Sequence, residues 1–264
     1  MAARSAAPTP RSRPAVAIAA PESPRTRCAG ICDHPTAVPS DDLPTAELLT
    51  LHVMRYAASS APRAVWVAHR RGDKLRATPG LLRAQLCATS NTVLPTPGRL
   101  ALLCAWKDPA SAECFLNTSP VLRWMTADAQ RTSHVTLKAM RATGRWHGIA
   151  VATDDCPPLT DVEPVLAFVH GRLRPRHAAR FFRTNVSVAR FARRQPGLLG
   201  AIGIHESPLR FASLSRWRSL AALQSYAYGP GAHQPVVQPY KQVPWAVDWC
   251  FLRLRAYGNT DFLR

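Results

Sequence analysis

Two segments of the chain, TPGLLRAQLCATS (Thr78–Ser90) and QPGLLGAIGIHES (Gln195–Ser207), match each other at a spacing of 117 residues. Self-similarity at a fixed distance is the mark of a duplicated supersecondary unit, and it constrains the fold more than any single motif. Each copy follows an Arg-rich helical pattern and precedes a strand pattern that ends in tryptophan, RLALLCAW in the first and RFASLSRW in the second. Extending outward, the first half reads strand 47–56, helix 61–77, strand 81–89, strand 99–106, helix 109–128 and strand 131–143. The second half reads strand 163–174, helix 175–194, strand 198–206, strand 209–217, a helix from 219 to about 227 that continues irregularly beyond His233, and strand 247–257. Alternating apolar residues support the strands, and Pro62 and Asp108-Pro109 mark helix starts.

The order β-α-β-β-α-β is the ferredoxin-like split unit, an antiparallel sheet with both helices on one face. The other face of each sheet is apolar and must be covered, and a second copy can cover it face to face. The expectation is therefore an α+β protein in which two fused ferredoxin-like repeats form a pseudo-dimeric α/β barrel, or else a pair-wise packed sandwich. Residues 45–146 are expected to form the first repeat and 163–264 the second. The Gly-, Asp- and Pro-containing segment 147–162 reads as the linker between them.

Residues 1–44 are of another character. They are rich in Ala, Pro, Ser and Arg and have almost no large hydrophobes, so they cannot offset the entropy of ordering and read as a disordered tail. Their apolar run PAVAIAA (Pro14–Ala20) is too short to span a membrane and lacks a signal-peptide layout. The Arg/Ser-rich, acid-poor look loosely resembles an organelle transit peptide, but a GC-rich genome or an early start codon gives the same look. The default expectation is a cytoplasmic protein.

The net charge of +18 does not come from the tail, where five arginines face four acids. An excess of this size in the folded part points to an anionic partner: nucleic acid, an anionic membrane surface, or the carboxylates or phosphates of a cofactor. General Arg bias would produce it equally well. With no basic run of five and no nucleic-acid module, a specific nucleic-acid partner is not expected. Seven cysteines are an odd, thin scatter, and Cys87 and Cys104 sit in apolar patterns as small hydrophobes, which fits a reducing compartment. Cys28, Cys32 and His34 resemble part of a zinc motif but lack a fourth ligand and a second pair.

Several stretches, taken in order, resemble the bacterial spheroidene monooxygenases of carotenoid biosynthesis. They are LHVMRYAASSAPRAVWVAHRR, PGLLRAQLCATS, LALLCAWKDPASAECFLNTSPVLRW and TGRWHG in the first half. In the second half they are GRLRPRHAARFFRTNVSVAR, GLLGAIGIHESP, SLSRWRSLAALQSYAY, AHQPVV and FLRLRAYG. The resemblance spans about residues 46–258. It implies a twin ferredoxin-like fold, a haem cofactor with an external electron donor or separate reductase, and oxygen insertion into a lipophilic, carotenoid-like (spheroidene-like) small molecule. In aldoxime dehydratases and chlorite-dismutase-like proteins, which share that fold, the proximal histidine comes from a helix of the second copy.

That comparison points to His233 as the iron ligand, since a neutral imidazole is a good nitrogen donor to haem iron. Otherwise His233 caps a helix or meets solvent. The sequence departs from the family after this histidine, where Pro235, Pro239 and Pro244 interrupt the helical pattern. His205 and Glu206 at a strand end are candidate catalytic residues beside the barrel mouth, or else they close a turn. Arg174, Arg176 and His177 begin a helix where guanidinium groups could hold a haem propionate or a lipid phosphate; a solvated helix face fits them as well. Trp106, Trp146, Trp217, Trp245, Trp249, Phe181, Phe182 and Tyr226 are candidate lining for a long apolar substrate, or core.

No hydrolase elbow, P-loop or dinucleotide fingerprint is present in the sequence. Two other functions stay open: a non-catalytic basic binding module on the same fold, and a haem enzyme of other chemistry, such as an aldoxime dehydratase-like lyase.

Overall fold

The computed structural model describes residues 43–57, 59–91, 94–153, 159–160, 162–229 and 245–263. His233, the Cys28/Cys32/His34 set and nearly all of the expected tail lie outside the described residues. The first repeat runs β1 (Thr45–Ala46), β2 (Leu48–Arg55), α1 (Ala61–Arg70), α2 (Gly72–Arg76), β3 (Leu81–Ser90), β4 (Arg99–Trp106), α3 (Pro109–Thr118), α4 (Pro120–Thr126) and β5 (Arg131–Gly144). After β6 (Ala150–Val151) comes the second repeat: β7 (Val165–Leu173), a 3-10 turn at Pro175–His177, α5 (Ala178–Arg193), β8 (Leu198–Ser207), β9 (Arg210–Trp217), α6 (Leu220–Tyr228) and β10 (Ala246–Gly258).

Eight antiparallel strands close into a barrel in the order β10-β5-β2-β4-β3-β8-β9-β7. Each repeat contributes one four-stranded ferredoxin-like sheet, and the repeats meet at two seams, β3 with β8 and β5 with β10. At the first seam Ala88 pairs with His205. Those positions are the 117-residue equivalents, so the pseudo-twofold axis crosses the seam at that pair. Closure leaves neither sheet with a free edge.

The matched Pro-Gly turns have a physical reason. Lys107 N–H donates to the Gly80 carbonyl and Arg218 N–H to the Gly197 carbonyl, both at 2.8 Å, so each turn grips the strand end that leads into the next helix. The helix that follows lies directly over the glycine. A Cβ on Gly80, whose φ is +71°, would come within 2.0 Å of Ser111 Oγ, and one on Gly197 within 2.4 Å of Ala222 Cβ. Those helices are capped alike, Asp108 accepting from Ser111 N–H at 2.7 Å and Ser219 from Ala222 N–H at 3.2 Å.

Two helices expected as single runs are broken. The run from 109 divides at Ser119, which is extended because it precedes Pro120, and whose hydroxyl caps the next helix through Leu122 N–H at 3.2 Å. The run from 61 divides at Arg71-Gly72.

Inward-facing residues of both repeats form one core inside the barrel, among them Leu49, Leu51, Leu103, Val135, Leu137, Phe168, Ile202, Leu214 and Leu252. Trp146 and Ile149, with the small β1–β6 pair, pack onto the same core. A second core lies between the first sheet and its helices. It contains Leu48, Met54, Leu102 and Trp106 from strands, with Phe115, Val121, Leu122 and Met125 from helices. Cys87, Cys104 and Cys250 are buried free thiols, and burial pushes Cys104 and Cys250 up to about 12. No helix of the described residues is long and apolar enough to cross a membrane.

Candidate functional site

His205 and Glu206 are neighbours on β8, and a strand turns neighbours to opposite faces. Glu206 points into the barrel with Ile202 and Ile204, while His205 points outward beside Ser90, its ring Nε2 2.8 Å from the Ser90 hydroxyl. The expected pair is therefore divided between two environments, and each has its own partners.

On the inner side, Glu206 is the centre of a buried polar cluster at one barrel mouth. His147 Nε2 lies 2.6 Å from one carboxylate oxygen; Trp146 Nε1 donates to the other at 3.3 Å, and His170 Nε2 is 3.4 Å away. On its other nitrogen, Nδ1, His147 meets the guanidinium groups of Arg210 at 2.9 Å and Arg83 at 3.3 Å. A guanidinium only donates, so Nδ1 accepts and Nε2 carries the proton given to Glu206. Burial by itself would raise the Glu206 pKa, but the hydrogen bond from His147 and the close approach of His170 outweigh it and hold the carboxyl well below the usual carboxylate range.

The backbone of His147 sits at φ +52°, a left-handed conformation that costs a non-glycine residue about 1 kcal/mol. His170 is fully buried; its Nε2 approaches Glu206 at 3.4 Å without making a hydrogen bond, and its Nδ1 has no partner among the described residues.

The donor atoms of His147, His170 and Glu206 lie within 4.8 Å of one another, and two imidazoles with a carboxylate suit a divalent first-row cation. Arg83 and Arg210 oppose that use. They set two positive charges beside the cation and fix the proton on His147 Nε2, removing its lone pair. As built, the cluster holds an ionised carboxylate among proton donors.

Of its members, sequence reasoning singled out Glu206 and, as candidate substrate lining, Trp146. His170 did carry a signal: it shares strand parity with Leu166 and Phe168, a lone polar residue on an apolar face. Arg83 and Arg210 gave none, since arginine is common throughout the chain.

The outer side of the second sheet is the other candidate. In the first repeat this face is filled by Leu48, Met54, Leu100, Leu102 and Trp106, all buried under helices. In the second it presents Ala167, Val169, Ala201, Gly203, Ser213 and Ser215, all only half-buried. Of the helices opposite, α5 buries only Phe181 and α6 buries nothing. Aromatic clusters stand at both ends of this small-residue floor. At one end Phe181 packs on Phe211 with ring centroids 4.2 Å apart, near Phe182, Trp245 and Trp249. At the other Tyr226 stacks on Trp217 at 4.7 Å and on Phe191 at 6.0 Å.

His205 lies at the edge of this floor, its pKa lowered by burial. Arg174 and Arg176 are exposed and His177 half-buried just ahead of α5. Partial desolvation, with the charges of Arg176, Arg174 and Arg180, lowers the His177 pKa, and its Nε2 accepts from Arg176 at 3.2 Å. Trp106 and Trp146 belong to the first-repeat and barrel cores instead of this floor.

Fold and site together define a twin ferredoxin-like barrel whose second repeat, among the described residues, has a face of small, half-buried side chains toward its helices. Among curated proteins it is similar to the spheroidene monooxygenase of Rubrivivax gelatinosus, 30% identical over 144 residues, which are 54% of this chain and 55% of that protein. The spheroidene monooxygenase of Cereibacter sphaeroides is 22% identical over 161 residues, 60% of this chain and 49% of the relative. The resemblance read from the sequence is thus borne out, with the chain spanning about half the length of the curated relatives it matches. No family model matches the chain. Among solved structures, an aldoxime dehydratase in complex with butyraldoxime superposes with a TM-score of 0.53 at 11% identity, covering 80% of this chain and 79% of that one. That likeness concerns the fold.

Proposed function

We propose that this chain is a haem-dependent monooxygenase acting on a lipophilic substrate of the carotenoid class for which its relatives are named. The observation that carries the proposal is the unequal filling of the two repeats. Where the first packs large side chains between sheet and helices, the second has a floor of Ala, Gly, Val and Ser between two aromatic walls. A flat, largely apolar group fits such a slot, and haem is one. His233, five residues beyond α6 and outside the described residues, is the proposed iron ligand. Arg174, Arg176 and His177 are the proposed partners of its propionates.

Haem, when bound, would supply dioxygen activation with electrons from an external donor. The chain's own residues would provide the setting. The walls built by Phe181, Phe211 and Trp249 at one end and Trp217 and Tyr226 at the other exclude water and align a long apolar molecule. His205, kept neutral by burial, has Nε2 engaged by Ser90 and Nδ1 left to hold a hydrogen bond at the floor's edge.

Expression with ample haem precursor should give a stoichiometric Soret band, quantified as the pyridine haemochrome. His233→Ala should change that spectrum. Ala201→Phe, which fills the floor, should abolish uptake while shifting stability by no more than about 1 kcal/mol. Haem-loaded protein with a reductase should then insert oxygen into spheroidene; turnover of an aldoxime in its place would replace the assignment with a lyase. Absence of any Soret band after reconstitution would return the chain to a non-catalytic basic module.

A further inference from the structure

We propose that the helical face of the first repeat, built from Val65, Trp66, Arg70, Arg71, Lys74 and Trp124, docks onto an anionic phospholipid bilayer. Large apolar side chains at a surface lose by facing water, yet Trp66 is 57% exposed and Val65 beside it 46%. Both lie on α1, which carries no acidic residue. Trp124 on α4, 36% exposed, adds a second indole to the side on which α1 and α4 pack.

Cations are held against both rings. The Arg70 guanidinium is 5.1 Å from the Trp66 ring centroid, Arg71 is 4.1 Å from that of Trp124, and the Lys74 ammonium is 5.6 Å from the latter. The acids nearby are neutralised by other arginines, Asp73 by Arg76 and Asp128 by Arg63. The excess positive charge of Arg70, Arg71 and Lys74 is therefore uncancelled by these acids. Lys74 also stands on the rim of a groove of about 470 Å³, lined further by Cys114, Phe115 and Val121.

Indole rings flanked by cations match the interfacial layer of a membrane, where rings enter the acyl boundary and cations meet phosphates. An aliphatic residue such as Val65 would gain from that layer and nothing from a nucleic-acid backbone. Charge alone does not create the match. Helix α5 carries four arginines, Arg180, Arg183, Arg190 and Arg193, but none of the exposed large hydrophobics of the described residues. The docking face belongs to the first repeat and the proposed haem slot to the second, so the inference stands whether or not haem binds. If both hold, this face brings the protein to a lipophilic substrate.

The full chain is tested by sedimentation with vesicles of phosphatidylcholine alone and of phosphatidylcholine mixed with phosphatidylglycerol. Binding should be at least about tenfold tighter to the anionic vesicles and weaken as salt rises. Trp66→Ser should cost about tenfold, and separately Arg70→Glu with Arg71→Glu at least about thirtyfold, each leaving the far-ultraviolet circular dichroism unchanged; Arg190→Glu should stay within about twofold. Brominated acyl chains should quench the wild-type fluorescence more than that of Trp66→Ser. Equal binding to both vesicle types, no binding, or variants that bind like the wild type would overturn the proposal. So would single-stranded RNA that displaces the protein from vesicles and loses its own binding in the same variants. Haem uptake measured on the same variants keeps the two proposals apart, since it should not change.

Discussion

Burial and the neighbouring His134 ring push the His52 pKa down to about 3. The two rings lie 4.6 Å apart, and His52 Nε2 has no hydrogen-bond partner among the described residues. Unfolded, the same side chain titrates near 6.5. Between those values the unfolded chain binds a proton that the folded one refuses, so stability falls as pH drops through the window, by up to about 1.4 kcal/mol per unit. Glu206, held low in the folded state, adds acid sensitivity only near and below the ordinary carboxylate range. His52→Leu should therefore flatten the dependence of the urea midpoint on pH between 6.5 and about 4.5, leaving the remainder to His134, His177 and His205, also held low. An unchanged slope in that variant would show that His52 is hydrated or protonated in the fold.

The repeated Pro-Gly turn shows how one small residue positions a whole element. Its glycine is required because a helix N-terminus crosses it closely enough to exclude a methyl group, at Ser111 in one repeat and Ala222 in the other. Gly80→Ala should destabilise by about 2 kcal/mol or more, combining overpacking with a left-handed φ. Gly148→Ala has a similar φ of +84° but nothing within 4 Å, so it should cost only the backbone share, about 1 kcal/mol. Urea denaturation of the two variants separates packing from conformation. The same element scale explains the broken helix at Ser119. The apolar pattern continues through the break, and proline geometry overrides it, with Ser119 serving as cap of the following helix.

The barrel interior is a single core to which both repeats contribute, and the seams bond β3 to β8 and β5 to β10 along their edges. Neither repeat can keep its inner face dry alone. The described fold should therefore unfold in one transition, with circular dichroism and tryptophan fluorescence coinciding and calorimetric and van't Hoff enthalpies equal. Two resolved transitions would mean that each repeat holds a core of its own.

Much of this architecture was legible in the chain because its causes are local. The repeat at 117 residues, the alternation in each strand and the Pro and Asp signals at helix starts mark eight long strands and two apolar sheet faces that must be covered, while the seams β3–β8 and β5–β10 decide for a closed barrel over a packed sandwich. The sequence also placed His205 and Glu206 at a strand end, where they are found. Other features depended on distance in space. Parity on β8 separates that pair, and only the closed barrel brings His147, His170, Arg83 and Arg210 from four different elements around Glu206. The open face of the second repeat is likewise a tertiary fact. Ala167, Ala201, Gly203 and Ser213 are unremarkable one by one, and become a floor because antiparallel pairing aligns them while, among the described residues, the helices above bury only Phe181.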